Sequence, residues 1–122
     1  AALQQPVLLR SRVEQWLVSA IEGRVPDRAQ AAHQFGLGER AFARRLQAEG
    51  SHYADVVDAV RQALACQAVA GGAEPFVRIA RRLGFSEASA FNRAFRRWTG
   101  YAPGDWQQRG AAGLPSAPPD GP

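Results

Sequence analysis

Ser89, Asn92, Arg93 and Arg96 recur at helical spacing within the run GFSEASAFNRAFRRWTGYAP, residues 84–103. All four can hydrogen-bond to a flat polar edge or to an anion. The guanidinium fork grips in two places at once, and an amide presents a donor beside an acceptor. Phe91, Phe95 and Trp98 fall at i, i+4 and i+7 on the opposite side. Those spacings require an amphipathic helix with a polar, basic front and an aromatic back. Ser86 is the expected N-cap and Gly100 the expected C-cap. Arg97 follows on the same helix, and Arg81 and Arg82 precede it. A second basic run, residues 38–49, carries Arg40 and Arg44 one turn apart, with Ala43 on their face and Arg45 beside them.

Several further elements must hold these two helices. Leu9, Val13, Trp16, Leu17 and Ile21 line one face of a helix over 8–22, which Gly23 can end. Asp27 with Gln30 forms a capping box that opens a short helix through Phe35, broken at Gly36. The longest helix spans 52–70, with Tyr53, Val56, Val60, Leu64 and Ala68 on its buried side, and stops at Gly71-Gly72. Pro75 suits the first turn of a helix over 75–83, and Gly84 breaks it. The basic helix covers 86–99, and Pro103 begins a final short turn ending near Gln108. Nothing reads as a strand, so the expected class is all-α with seven helices. Residues 109–122 form a Pro/Gly/Ala-rich stretch too poor in large apolar residues to order itself, and the expectation is a flexible tail.

An internal repeat relates the two basic helices. AAHQFGLGE (31–39) matches IARRLGFSE (79–87) at an offset of 48, and FARRL (42–46) matches FNRAF (91–95) at an offset of 49. The second copy therefore carries one extra residue. Each copy is a short helix, a glycine-containing turn and a longer basic helix, which is the helix-turn-helix pattern. Arg44 and Arg93 occupy the same place in both copies, opposite Phe42 and Phe91. A competing structural role for these two arginines is an ion pair within the fold, to Glu39 or Glu87.

Composition narrows the partner. The chain has 122 residues, enough for one domain, with a formal net charge of +4 and an isoelectric point near 10.5. That balance suits an anionic partner such as nucleic acid or an acidic membrane surface. Residues 1–70 hold eight Arg against seven acids, whereas residues 71–109 hold seven Arg against three. The second copy is thus the more electropositive. All positive side chains are Arg. Selection for phosphate and guanine and a GC-rich coding sequence both account for that, so placement says more than identity. The single cysteine, Cys66, forms no intramolecular disulfide and reads as a packing or surface residue, in keeping with a reducing compartment. His33 and His52 read as surface residues, too far apart and without partners for zinc. Trp16, Phe42, Phe76, Phe85, Phe91, Phe95 and Trp98 read as core. No run approaches the ~18–20 apolar residues that span a bilayer. Without a Met anywhere, the chain is expected to be part of a longer protein.

The stretch IARRLGFSEASAFNRAFRRWTGYAP (79–103) closely resembles the C-terminal signature of the AraC/XylS family of bacterial transcription regulators. Ile79, Ala80, Gly84, Phe85, Ser89, Phe91, Arg93, Phe95, Gly100 and Pro103 all sit where that family places those types. Arg61, Ala65 and Val69 resemble its linker-helix positions. The first motif is looser: Gly38 stands where a Ser usually caps the helix, and Phe42 and Leu46 reverse the usual Leu and Phe; beyond both motifs, Trp106 stands where a Tyr or Phe is common.

The resemblance implies a DNA-binding domain over residues 8–108. Its first helix-turn-helix covers about 27–49, its linker helix about 52–70 and its second helix-turn-helix about 75–99. Two recognition helices would enter adjacent major grooves about one helical turn (~34 Å) apart and read an asymmetric double-stranded site. Matching position to position assigns base reading to Arg40, Arg44, Ser89, Asn92 and Arg93, and phosphate contacts to Arg45, Arg81, Arg82, Arg96 and Arg97. Helix N-termini at Ser86 and Pro103 can add backbone N–H groups to a phosphate. By the same resemblance the protein is an activator in the bacterial cytoplasm, with RNA polymerase as a partner. Any effector binds an N-terminal domain absent from this chain, and neither cofactor nor metal is expected. No nucleophile–base pair, phosphate loop or metal-ligand set points to an enzyme. The alternative is a non-specific nucleic-acid-binding or protein-interaction helical module.

Overall fold

The computed structural model describes residues 8–111, in which seven helices follow one another with no strand among the described residues. They are α1 (Leu9–Ala20), α2 (Arg28–Gln34), α3 (Glu39–Ala48), α4 (Tyr53–Gly71), α5 (Phe76–Arg82), α6 (Ala88–Thr99) and α7 (Pro103–Ala111). The α2–α3 and α5–α6 pairs are the two helix-turn-helix units. Between them runs α4, 19 residues and so about 28 Å long. Helix α1 packs on α3 and α4, and α7 closes the far end against α4 and α6.

The repeat in the sequence is a repeat in hydrogen bonding. In the first turn, Leu37 N–H donates to the Ala32 carbonyl (3.0 Å) around Gly36, whose φ is +70°. In the second, Phe85 N–H donates to the Ala80 carbonyl (3.0 Å) around Gly84, at φ +84°. Both are Schellman closures, which need a left-handed residue just past the helix. Their surroundings differ. Gly36 faces open space, whereas a Cβ on Gly84 would lie 3.1 Å from Val25 Cγ2 and 3.2 Å from Val25 N. The second turn is thus pressed against the loop leading into the first unit, where Gly23 N–H also donates to the Arg82 carbonyl (2.7 Å).

One continuous apolar cluster joins the units. It takes Leu9, Val13, Leu17 and Ile21 from α1, Phe42 and Leu46 from α3, Ile79 and Ala80 from α5, and Phe91, Phe95 and Trp98 from α6. Rings meet edge-on in both halves: Trp16 with Phe35 at 5.8 Å, Phe42 with Tyr53 at 5.9 Å, and Phe95 with Trp106 at 5.4 Å. Phe42, Phe91, Phe95 and Trp98 are buried as expected, while Trp16, Phe76 and Phe85 are partly covered at its edge.

Several expectations shift. Helix α6 is capped by Glu87, not Ser86. The extra residue of the second copy lies in its turn, so the register that puts Gly38 at the cap of α3 puts Glu87 at the cap of α6. Pro75 is the N-cap of α5 in extended conformation, and Pro103, already placed there, is the first residue of α7. On α4, Val57, Ala65 and Val69 are buried along with Val56 and Val60, while Tyr53, Leu64 and Ala68 are only partly covered. The single stripe read from periodicity is really two, because α4 is contacted by α1 and also by α5, α6 and α7. Helix α7 continues past Gln108 to Ala111, so the first residues assigned to the flexible tail are helical. The rest of that stretch, 112–122, lies outside the described residues.

Candidate nucleic-acid interface

Each recognition helix is held from behind by its buried aromatics, which turns its other side outward. On α3, Phe42 and Leu46 are buried while Arg40, Arg44 and Arg45 are exposed, with Ala43 half-buried between faces. On α6, Phe91, Ala94, Phe95 and Trp98 are buried while Ala88, Ser89, Asn92, Arg93, Arg96 and Arg97 are exposed. Side chains at 89, 92, 93 and 96 share one face, as their spacing requires. Every residue expected to read bases therefore stands at the surface of one of the two equivalent helices.

The competing ion pairs did not form. Glu39 is taken by Arg28, whose Nε donates to its Oε2 at 2.9 Å. Glu87 accepts the Ser89 hydroxyl at 3.0 Å. Arg40, Arg44, Arg45, Arg81, Arg93 and Arg96 make no ion pair with the described residues, so their guanidinium charges face solvent uncompensated. Ser89 reaches the surface with its hydrogen already engaged, which leaves its oxygen lone pairs as the free function.

Two expected phosphate ligands have carboxylate partners within the fold. Arg82 donates from Nε and Nη2 to the Glu74 carboxylate (3.1 and 2.8 Å), so it is tied within the second unit. That bond holds the Glu74 carboxyl below its ordinary range and raises the guanidinium pKa. Arg97 donates from Nη1 and Nη2 to Asp58 of α4 (3.2 and 3.1 Å), and Trp98 Nε1–H donates to the same carboxylate at 3.1 Å. Partial burial pushes the Asp58 carboxyl up, but the bonds from Arg97 and Trp98 and the nearby charges of Arg97 and Arg61 outweigh it, and the net shift is downward.

The sequence did not show the long-range hydrogen bonds that Glu49, Tyr53 and Arg61 make between elements. Glu49, the C-cap of α3, accepts Leu9 N–H on Oε2 and Arg10 N–H on Oε1, both at 2.8 Å, and so caps α1 from 40 residues away. Tyr53 donates its hydroxyl to the Pro26 carbonyl (2.7 Å). Burial and the neighbouring Asp27 carboxylate push its pKa up to about 12, so it remains a donor throughout the neutral range. Arg61 Nε donates to the Leu83 carbonyl (2.9 Å), with its guanidinium 3.9 Å from the Phe85 ring centre. No local spacing marks these partners, which are 22 to 40 residues apart in sequence. The Pro103 N-terminus of α7 carries Asp105 in its first turn and a buried Pro103, a poor setting for an anion.

Two equivalent helix-turn-helix units on one linker helix, each presenting a basic helix with exposed arginines that pair with none of the described acids, define a two-headed nucleic-acid-binding domain. A family model described as a helix-turn-helix domain matches residues 31–109. The chain belongs to the AraC-type helix-turn-helix family of DNA-binding transcription regulators. It is 40% identical over 106 residues to the ornithine utilization regulator of Pseudomonas aeruginosa, covering 87% of this chain and 30% of that protein. Among solved structures it is similar to the transcriptional regulator CdpR of Pseudomonas aeruginosa, with 37% identity and a TM-score of 0.73, over 81% of this chain and 31% of that one. The DNA-binding domain of AdpA, solved in complex with a target DNA, shares the fold at a TM-score of 0.73 and 22% identity, over 84% and 93% of the two chains. The chain thus spans about 30% of the length of the curated relative it matches. No described helix is long and apolar enough to cross a membrane.

Proposed function

We propose that this chain is the sequence-specific, duplex-reading part of a bacterial transcription regulator, with α3 and α6 entering adjacent major grooves on one face of an asymmetric operator. One observation carries this reading: Arg44 and Arg93, equivalent in the repeat, stand exposed on the fronts of the two helices and make no ion pair with the described residues. An unpaired guanidinium at such a place is free to take guanine O6 and N7. Arg40, Arg44, Ser89, Asn92 and Arg93 read bases, Asn92 suiting adenine. Arg45, Arg81 and Arg96 neutralise phosphates. Arg82 and Arg97, already facing carboxylates, add less net charge to that contact. In the whole protein the domain acts in the cytoplasm as an activator that engages RNA polymerase, under an effector-binding N-terminal region.

Selection of bound sequences from random duplexes, followed by salt titration on selected and random DNA, tests the reading. A sequence-specific reader keeps a ratio of about 10³ or more between them. A salt slope without that ratio would make the chain a non-specific nucleic-acid module instead.

A further inference from the structure

Asp58 lies on α4, outside both helix-turn-helix units, yet its carboxylate accepts three hydrogen bonds from the last turn of α6: two from Arg97 and one from Trp98. Three donors converging on one carboxylate fix an orientation as well as a distance, because each is directional. One turn along the same side of α4, Arg61 holds the end of α5 through the Leu83 carbonyl and lies over Phe85. Among these polar ties, the one through Asp58 reaches the reading helix itself. The rest of the α6 attachment is the apolar packing of Phe91, Phe95 and Trp98, which is strong but non-directional.

We infer that Asp58 is a positioning residue that sets, through Arg97 and Trp98, the separation and relative rotation at which the two reading heads engage DNA. The inference rests on the two-headed reading proposed above. One base-pair step turns the duplex by about 35° and advances it by about 3.4 Å. A second head tied to the linker at a fixed angle pays for each added or removed base pair with lost contacts. A head held by apolar packing alone rocks to follow the altered site. Asp58 therefore acts on the spacing between half-sites and not on which bases are preferred within them. Arg97 is the intermediary: its side chain is 61% exposed and that of Asp58 39%, and their atoms pair at 3.1 Å.

The test uses the 122-residue chain, its selected duplex, and two duplexes with one base pair removed from or added to the middle of that site. The wild-type chain should favour the native spacing by about tenfold or more, comparable with a mismatched base pair. Asp58→Ala and Arg97→Ala should each reduce that ratio at least about threefold, with little change in the base preferences of either half-site. Their effects on overall affinity should be opposite, since Asp58→Ala releases a guanidinium charge and Arg97→Ala removes one. Glu74→Ala, which breaks the comparable Arg82 pair inside the second unit, should leave the spacing ratio intact. A ratio retained in Asp58→Ala, or lost equally in Glu74→Ala, overturns the inference. If Asp58→Ala does not fold by circular dichroism, Asp58→Asn and Arg97→Ala decide in the same way. A wild-type chain indifferent to spacing would instead overturn the two-headed reading itself.

Discussion

Arg44 and Arg93 differ in their neighbours more than in their place. Arg44 stands behind Ala43 and, at the helix start, Gly38, neither of which can hydrogen-bond a base through its side chain. Arg93 stands with Asn92 and Ser89. Arg93→Ala should weaken binding to the preferred site by about 1–3 kcal/mol and relax base preference at one or two positions. Equal losses on preferred and random duplexes would make Arg93 a phosphate ligand. Arg96→Ala should weaken all duplexes alike and reduce the salt slope by about one unit, and a changed selected sequence would reassign it to reading. Acid should act through Asp58. Its carboxyl titrates below the ordinary value of 3.8, so its stabilising contribution is complete above that range and disappears as pH falls through the folded value. The difference in melting temperature between the wild-type chain and Asp58→Asn should stay flat from pH 7 to 5 and shrink toward pH 3. A gap that widens on acidification would contradict the sign. The exposed fronts of α3 and α6 were legible because helical spacing sets them opposite Phe42, Phe91 and Phe95, and the repeat marks Arg44 and Arg93 in both copies. Asp58 was not, because its partners are 39 and 40 residues away and nothing local distinguishes it from a solvated acid.

At the scale of helices and turns, the sequence shows boundaries well and shared surfaces poorly. The Asp27–Gln30 capping box is present, each side chain accepting the other residue's amide at 2.8 Å, because its chemistry is complete within four residues. Gly100 ends α6 at φ +85°, again a local requirement. The second buried stripe of α4 escaped because periodicity averages over faces and does not tell how many neighbours a helix has. The two turns make the contrast measurable. Gly36→Ala carries only the left-handed strain of roughly 1–2 kcal/mol. Gly84→Ala carries it as well and drives a methyl against Val25. The second should therefore cost at least about 1 kcal/mol more, some 4–8 °C in melting temperature for a domain of this size. Equal melting temperatures would show that the 23–26 loop gives way freely. Glu49→Ala should cost about 1–2 kcal/mol, since Leu8, the N-cap of α1, supplies no side-chain acceptor. Faster hydrogen exchange at Leu9 and Arg10 would locate the loss, and unchanged protection there would refute it.

Across the whole molecule the two heads are unequal. The first has Arg40 and Arg44, whereas the second has Ser89, Asn92 and Arg93 on a more basic half of the chain. The half-site under α6 should be the more stringently specified, with α3 relying more on phosphates and local DNA shape. Arg40→Ala/Arg44→Ala and Asn92→Ala/Arg93→Ala, each measured against every single base-pair change, rank them. Greater loss of sequence preference in the first pair would reverse the order. The two-headed architecture was readable because duplication leaves a numerical offset. How the heads are fastened together was not, because that depends on long-range contacts such as Gly23 to Arg82 and Tyr53 to Pro26. One of these fastenings has a mechanical meaning. Glu49 ends the first reading helix and grips the opening amides of α1 with both oxygens. A pull on the backbone ahead of Leu9 is thus delivered along a short stiff path to the tail of α3. A second route runs from Gly23 N–H, just past α1, to the Arg82 carbonyl at the end of α5. Load applied at the leading end of this domain should therefore be shared between both heads, through the Glu49 side chain to one and the Gly23 backbone to the other.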